Sequence, residues 1–405
     1  MAKLLQINPV IRENTSTGRI MKEIGELAMA SGWESYVAYS RARDGVMPHS
    51  SQLVPIGNKV DLGLHWLATR LFDAHGLASK AATRRFISRV REIQPDVIQI
   101  HNLHGYFINY PMLLEFLAEY GRPVVWTVHD CWLYTGHCYH YAAAGCYKWQ
   151  TGCEHCPQKR AFPASYLVDG SKRNYRVKKQ SFSKLGKFTL VCVSEWMKGE
   201  IAKSFLGDVR CEVIHNGIDL SVFKPSDGSA VRAKYGIPSG KVILGLASIW
   251  TPQKGLADLL SVASRLDATL VVVGAVPDEQ KALIPASVVQ IPRTENMNEL
   301  AAIYSIADVL LNPTYQDNYP TVNMEAIACG TPVITYNTGG SGESITDATG
   351  LVVPQGDVAA LASATASVLA KGKAAYSSAC VEYAAAHFDK TDRFADYIKL
   401  YSSLI

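Results

Sequence analysis

Short runs of apolar residues alternate with longer stretches whose apolar positions recur every three or four residues, over nearly the whole chain. Residues 4–8, 33–39, 97–101, 124–129 and 188–194 have the near-continuous apolar character of strands buried on both faces. Between them lie stretches of helical length and spacing, such as 19–30, closed by Gly32, and 81–93, ended by Pro95. The same alternation restarts with strands at 242–247, 269–273, 309–312, 332–335 and 350–353 and helices at 255–266, 297–306 and 319–329. Strand–helix alternation builds a parallel sheet with helices on both faces. One break stands between the halves: residues 219–240 hold Pro225, Asp227-Gly228-Ser229 and Pro238-Ser239-Gly240, a turn-rich stretch suited to a linker.

The expected fold is therefore α/β, with two facing Rossmann-like, doubly wound domains. Residues 1–215 form the first, with a cysteine-rich insert at about 131–160; 216–240 link it to a second domain at 241–385, and 386–405 form a last helix whose partner the pattern does not reveal. Ligands of such sheets bind at the carboxyl ends of the strands. The length of 405 residues fits two domains. A content of 48% hydrophobic and 19% charged residues excludes a disordered chain. No apolar run approaches the ~20 residues needed to cross a bilayer, and the first residues do not read as a signal peptide, so a cytoplasmic location is expected.

The net charge of +4 hides a division. Residues 1–215 carry 27 Lys and Arg against 18 Asp and Glu, and residues 216–405 carry 13 against 18. A basic half suits an anionic surface or a phosphorylated acceptor, and equally an unevenly charged solvated surface. No nucleic-acid partner is expected.

The most specific segment runs from Asn312 to Ile334 and reads as strand, loop, helix and then Gly330-Thr331-Pro332 into another strand. Asp317 sits in the loop and Glu325 eight positions on, inside the helix. A helix start offers N–H groups and a positive dipole end to an anion, and a carboxylate two turns in can accept from vicinal hydroxyls such as those of a ribose. By itself this spacing of two carboxylates is common. The segment also resembles the E-x7-E region of retaining GT-B glycosyltransferases of family 4, in the form where Asp replaces the first Glu. That resemblance implies that Glu325 binds the donor ribose and that Asp317 lies beside the transferred sugar. Backbone N–H groups around Asn318, Tyr319, Pro320 and Thr321 would hold sugar hydroxyls or phosphate.

Two further segments are similar to the same family. Val213-Ile-His-Asn-Gly-Ile-Asp219, with Phe223 and Pro225, matches the signature at which the chain leaves the first domain, and by itself reads as an Asn-Gly turn. Ser248-Ile-Trp-Thr-Pro-Gln-Lys254-Gly255 resembles the loop that presents a basic pair to the donor diphosphate, which implies that Lys254 offsets charge on the leaving group. Ile249 stands where the family has Arg, so the second charge has no assigned source.

In the first half, Glu13-Asn-Thr-Ser-Thr-Gly18-Arg19 opens a helix. Small hydroxyl residues and Gly18 suit a cap or a close approach to phosphate, and the family places its glycine-rich first loop here. His129-Asp130 ends a strand and resembles the family residue that contacts the donor sugar. A neutral His129 would donate to a hydroxyl or stabilise positive charge through its dipole; it is not assigned as a base.

Five of nine cysteines lie between Cys131 and Cys156, and Cys138, Cys146, Cys153 and Cys156 have the spacing C-x7-C-x6-C-x2-C. Four thiolates on a loop can close a tetrahedral zinc site and fold an insert that lacks its own core; free thiols in a packed loop are the alternative, and His137, His140 and His155 are substitute ligands. The run resembles an insert of a subset of family 4 enzymes of bacterial polysaccharide pathways. Such a zinc would be structural, and no cofactor is expected in catalysis. Lys172 to Lys179, with Lys184 and Lys187, forms a basic helical stretch carrying Tyr175, Phe182 and Leu185, a face that could rest on anionic lipid at the inner side of a membrane or be a solvated surface.

The resulting expectation is a retaining, metal-independent hexosyltransferase. It would move a sugar from a nucleotide-diphosphate-sugar to a glycan or lipid-linked acceptor of a surface polysaccharide such as capsule, exopolysaccharide or lipopolysaccharide. The competing readings are a nucleotide-sugar 2-epimerase of the same fold and a non-catalytic, zinc-stabilised binding module.

Overall fold

A computed structural model describes residues 1–11, 16–42, 50–186 and 188–405. The chain forms two compact units, Met1–His215 together with Phe394–Ile405, and Asn216–Arg393. Each is an α/β layer structure around one parallel sheet.

The first unit holds β1 (Lys3–Ile7), β2 (Glu34–Tyr39), β3 (Gln52–Pro55), β4 (Val97–Ile100), β5 (Val124–Val128), β6 (Thr189–Cys192) and β7 (Arg210–Val213). Their order is β3-β2-β1-β4-β5-β6-β7, all parallel. The central strands are buried along their length, which is why they read as unbroken apolar runs. The strand order reverses between β1 and β4, so the loops leaving these two strands flank the switch point of the sheet.

The second unit holds β8 (Val242–Ile249), β9 (Thr269–Ala275), β10 (Val289–Ile291), β11 (Val309–Asn312), β12 (Val333–Tyr336) and β13 (Gly350–Val353), in the parallel order β10-β9-β8-β11-β12-β13. Here the reversal falls between β8 and β11.

Several sequence expectations change. The stretch read as linker carries a helix, Ser229–Tyr235, whose preceding Gly228 has no room for a Cβ against Ile306. Gly217 does not make a left-handed turn. It is a close approach, because a Cβ there would run into the backbone of Lys390. Around it Ile218 N–H donates to Phe388 O (2.8 Å) and Lys390 N–H to Ile218 O (3.0 Å), so the segment leaving the first unit pairs with the segment returning to it.

The last helix, Lys390–Leu404, buries Phe394, Tyr397, Leu400 and Tyr401 in the first unit, beside Leu4, Val97, Val125 and Val191 of its sheet. Tyr401 O–H donates to Gln99 Oε1 (2.9 Å) and Thr127 O–H to Tyr397 Oη (3.2 Å), so the polar tips of these aromatics are satisfied inside the core. Burial of a side chain as large as Leu or Phe is worth roughly 1.5–3 kcal/mol, enough to hold a four-turn helix in place.

The cysteine-rich insert does not lack a core. Trp132, Tyr134, Tyr141 and Trp149 are buried and join the main apolar cluster of the first unit. The basic helix, Ser171–Leu185, turns Tyr175, Phe182 and Leu185 inward. Lys178 is buried too, its Nζ donating to Thr135 O (2.8 Å) and to Trp132 O. The apolar side chains that a lipid contact would need are thus used in packing. Among the described residues no helix is long and apolar enough to cross a membrane.

Candidate functional site

In the second unit the loops leaving β8 and β11 meet because the two strands are neighbours. The β8 loop ends in a short turn, Pro252–Lys254, and then Gly255 at φ +73°, where a Cβ would overlap Pro313 O. Only glycine lets the two loops approach this closely. Tyr315 N–H donates to Gln253 O (2.8 Å), and Thr314 O–H to the same carbonyl (3.3 Å). One residue further on, Lys254 Nζ lies 2.8 Å from Asp317 Oδ2. The side chains of the pair are 34% and 21% exposed, so both reach solvent.

Asp258, in the first turn of helix Leu256–Ala263, accepts from Tyr315 and Tyr336, each at 2.7 Å, and so anchors the β11 loop from the other side. Neither tyrosine nor Asp258 was singled out in the sequence, where each reads as an ordinary aromatic or first-turn residue.

Helix Thr321–Ala328 follows the loop. Pro320 is its N-cap and no side chain caps it, so the N–H groups of its first turn are met by no capping side chain. Pro320 itself has no N–H, so of the four loop residues it cannot be a backbone donor. Tyr319 is buried, and burial raises its phenol well above the usual range. The helix is fixed by a buried chain: Asn312 Nδ2 donates to Asn323 Oδ1 (2.9 Å) and Asn323 Nδ2 to Ser341 O (3.0 Å). Asn318 is buried in the same loop. Glu325 is buried in the helix, its Oε2 accepting from Tyr304 O–H at 2.9 Å. Ile249 is 55% exposed, which leaves an apolar side chain where the family has a cation.

The first unit holds a second polar centre at its own switch point. Gln6 Nε2 donates to Met21 O (2.9 Å), which turns Gln6 Oε1 toward His101 Nε2 (3.0 Å). His101 Nε2 therefore carries the proton, its Nδ1 accepts, and the donor at 3.1 Å is His129 Nε2–H. Burial pushes His129 down to about 4, partly offset by Asp130, and lowers His101 well below its usual value, so the pair is neutral at pH 7. The N–H of neutral His129 is thus committed to His101, whereas the sequence expectation had it donating to a sugar hydroxyl. His104 and Asp130 pair beside it at 2.6 Å. Gly18 is buried in helix Ser16–Ala30. Glu13, Asn14 and Thr15 lie outside the described residues, as does Lys187.

In the insert, Cys138, Cys146, Cys153 and Cys156 line one cavity of about 20 Å³, and none is in a disulfide. Another cavity of the first unit, about 1020 Å³, opens at the amino ends of β5 and β6, near Val124 and Thr189, away from the strand ends where ligands of such sheets sit.

Residues 17–222, just over half of the chain, match the family model described as Glycosyltransferase Family 4, and residues 228–387 match Glycosyl transferases group 1. The chain is 24% identical over 370 residues, 88% of each chain, to the colanic acid biosynthesis glycosyl transferase WcaC of Escherichia coli (strain K12). Among solved structures it resembles a sucrose-phosphate synthase from Thermosynechococcus elongatus, with a TM-score of 0.71 and 17% identity over 100% of this chain and 99% of that one. It also resembles Anabaena Alr3699/HepE in complex with UDP-glucose, with a TM-score of 0.69 and 17% identity over 100% of both chains. These two likenesses show the GT-B fold.

Proposed function

We infer, from a chain that belongs to glycosyltransferase family 4, a retaining transfer of a sugar from a nucleoside-diphosphate donor to an acceptor of surface-polysaccharide assembly. The contact between Lys254 and Asp317 at the β8–β11 switch point carries this reading. It puts a cation and a carboxylate side by side where ligands of doubly wound sheets bind, with Glu325 one helix further on.

In this reading Lys254 meets the donor diphosphate. An ammonium has three N–H donors, so its bond to Asp317 does not exhaust it. Asp317 faces the sugar hydroxyls, and the first-turn N–H groups of helix Thr321–Ala328 add their dipole to the phosphate side. Glu325, held by Tyr304, takes the ribose hydroxyls.

The bond from the sugar C1 to the diphosphate oxygen breaks, and the nucleoside diphosphate leaves with the electron pair. The acceptor oxygen bonds C1 from the same face, and its proton passes to the departing phosphate. Lys254 offsets the charge that grows on that phosphate, the part a divalent cation takes in other transferases. His129, neutral at pH 7, is given no proton-transfer role.

The name of the E. coli relative supports a polysaccharide acceptor, and the UDP-glucose complex of HepE supports a nucleotide sugar as donor. For a lipid-linked acceptor, the support lies on helix Lys59–Phe72, where Val60, Leu64 and Leu67 are exposed at helical spacing beside exposed Trp66 and Phe72. With a basic first half, this face suits an anionic membrane better than helix Ser171–Leu185 does.

The test is product analysis with UDP-glucose and a lipid-diphosphate sugar acceptor. Nucleoside diphosphate should appear only with acceptor, and NMR of the product should show the donor's anomeric configuration. An inverted anomer removes the retaining mechanism; a changed sugar nucleotide without release favours the epimerase.

A further inference from the structure

The cysteine-rich insert is not used by the reaction. Between Cys131 and Gly170 the chain forms no strand and no α-helix, only three short turns at Cys131–Leu133, Ala142–Ala144 and Lys148–Gln150. Its four spaced cysteines nevertheless converge. Cys138, Cys146, Cys153 and Cys156 line a single cavity of about 20 Å³, room for one water-sized occupant.

The backbone is shaped to bring them there. Gly145, Gly152 and His155 immediately precede Cys146, Cys153 and Cys156, and all three have positive φ, at 58°, 157° and 46°. A left-handed histidine is uncommon, since its Cβ crowds the carbonyl, and it survives where the surrounding structure demands that turn. Gly136 packs where a Cβ would lie 2.6 Å from Cys153 Cβ, and Gly136 N–H donates to Cys153 Sγ at 3.2 Å. An N–H pointed at a sulfur stabilises a thiolate.

A second observation also points to an occupant. His137 lines the same cavity, its side chain is fully buried, and its Nδ1–H donates to Asp73 Oδ1 at 2.7 Å. Its Nε2 is buried with no hydrogen-bond partner. A buried polar atom without a partner costs about 1–3 kcal/mol, and a histidine braced on a carboxylate is the usual arrangement around a protein-bound metal.

We propose that this insert binds one structural Zn²⁺ through Cys138, Cys146, Cys153 and Cys156, with His137, held by Asp73 at Nδ1, donating its Nε2–H to the thiolate shell. Four thiolates around Zn²⁺ leave a net charge of −2, and the buried Lys178 Nζ lies within electrostatic range of Cys138 and Cys153. Among the described residues no group of three or more Cys, His, Asp or Glu side chains is already set to hold a metal ion, so the proposed centre forms only as the thiols close on the ion. Because Trp132, Tyr134, Tyr141 and Trp149 already anchor the insert, the metal fastens the outer turns and is not the sole source of folding. The insert belongs to the first unit, and the residues of the proposed donor site belong to the second.

The test is elemental analysis of the untagged full chain purified without added metal. We expect close to one zinc per chain, lost in Cys146→Ser and in Cys153→Ser, with a lowered melting temperature. Because either variant could misfold, the wild-type protein is also titrated with a mercurial thiol reagent in the presence of a colorimetric zinc indicator. Zinc should be released as four thiols are consumed. Cobalt exchanged into the site should give the intense visible bands of a tetrahedral, thiolate-rich centre. A metal-free chain whose melting temperature and insert thiol reactivity are unchanged by chelator and by added zinc overturns the proposal.

Discussion

Lys254 and Asp317 lie 63 residues apart in the chain and 2.8 Å apart in the fold. Both side chains are partly exposed, and such pairs contribute at most about 1 kcal/mol to stability. The pair is therefore no large source of stability, and in the proposed function it serves the donor. Lys254→Ala and Asp317→Asn should leave the melting temperature within about 4 °C of wild type and lower kcat/KM for the donor by about 100-fold or more. Steady-state kinetics beside thermal melts separate the two effects, and a large loss of stability with full activity would reverse the assignment.

Glu325 carries a different balance, because it is buried and accepts from Tyr304. Glu325→Ala removes the acceptor of the Tyr304 hydroxyl and should cost about 1–3 kcal/mol while abolishing the thermal shift produced by a nucleotide sugar. Tyr304→Phe removes the donor and leaves the carboxylate, so it should weaken nucleotide binding by a smaller factor. Calorimetric titration of both variants checks this order.

The histidines give the protein an acid-side slope. His65 and His129 are each lowered by burial from 6.5 to about 4, and burial also lowers His75 and His101 well below the usual value. The unfolded chain thus binds protons that the folded chain refuses, so stability is full above pH 6.5 and falls as the pH drops toward 4. Urea midpoints should be lower at pH 5 than at pH 7. His129→Asn should flatten part of the slope, and equal midpoints at the two pH values would contradict the burial of these rings as neutral groups.

Gly255 is a structural test of the same site. With φ at +73° and Pro313 O in the space a Cβ would fill, Gly255→Ala must move the β8 loop away from the β11 loop. Donor affinity should fall together with stability, as read by titration and melting.

The central strands were legible because burial on both faces leaves an unbroken apolar run, as in 97–100 and 124–128. Edge strands Gln52–Pro55 and Val289–Ile291 were not, since they are short and half-exposed and the pattern is lost. The last helix showed its apolar stripe but not its partner, because Phe394, Tyr397, Leu400 and Tyr401 would fit any apolar sheet face. In the site, Lys254, Asp317 and Glu325 were found through motif resemblance. Their positioning residues Asp258, Tyr315, Tyr336 and Asn323 were not, since these act across strands whose adjacency only the topology supplies. The same holds for His101, which fixes the proton on His129 from a neighbouring strand end. Lys178 looked like one more surface charge in a basic run, and its burial follows from two carbonyls of the distant insert.

Isothermal titration calorimetry of UDP-, GDP-, ADP- and CMP-sugars against the wild-type chain, Lys254→Ala and Glu325→Ala is the most direct measurement. One of these donors should bind wild type at a single site per chain, and each substitution should weaken that binding by at least tenfold, about 1.4 kcal/mol. Undiminished binding in both variants would mean that the β8–β11 switch point does not hold the nucleotide sugar.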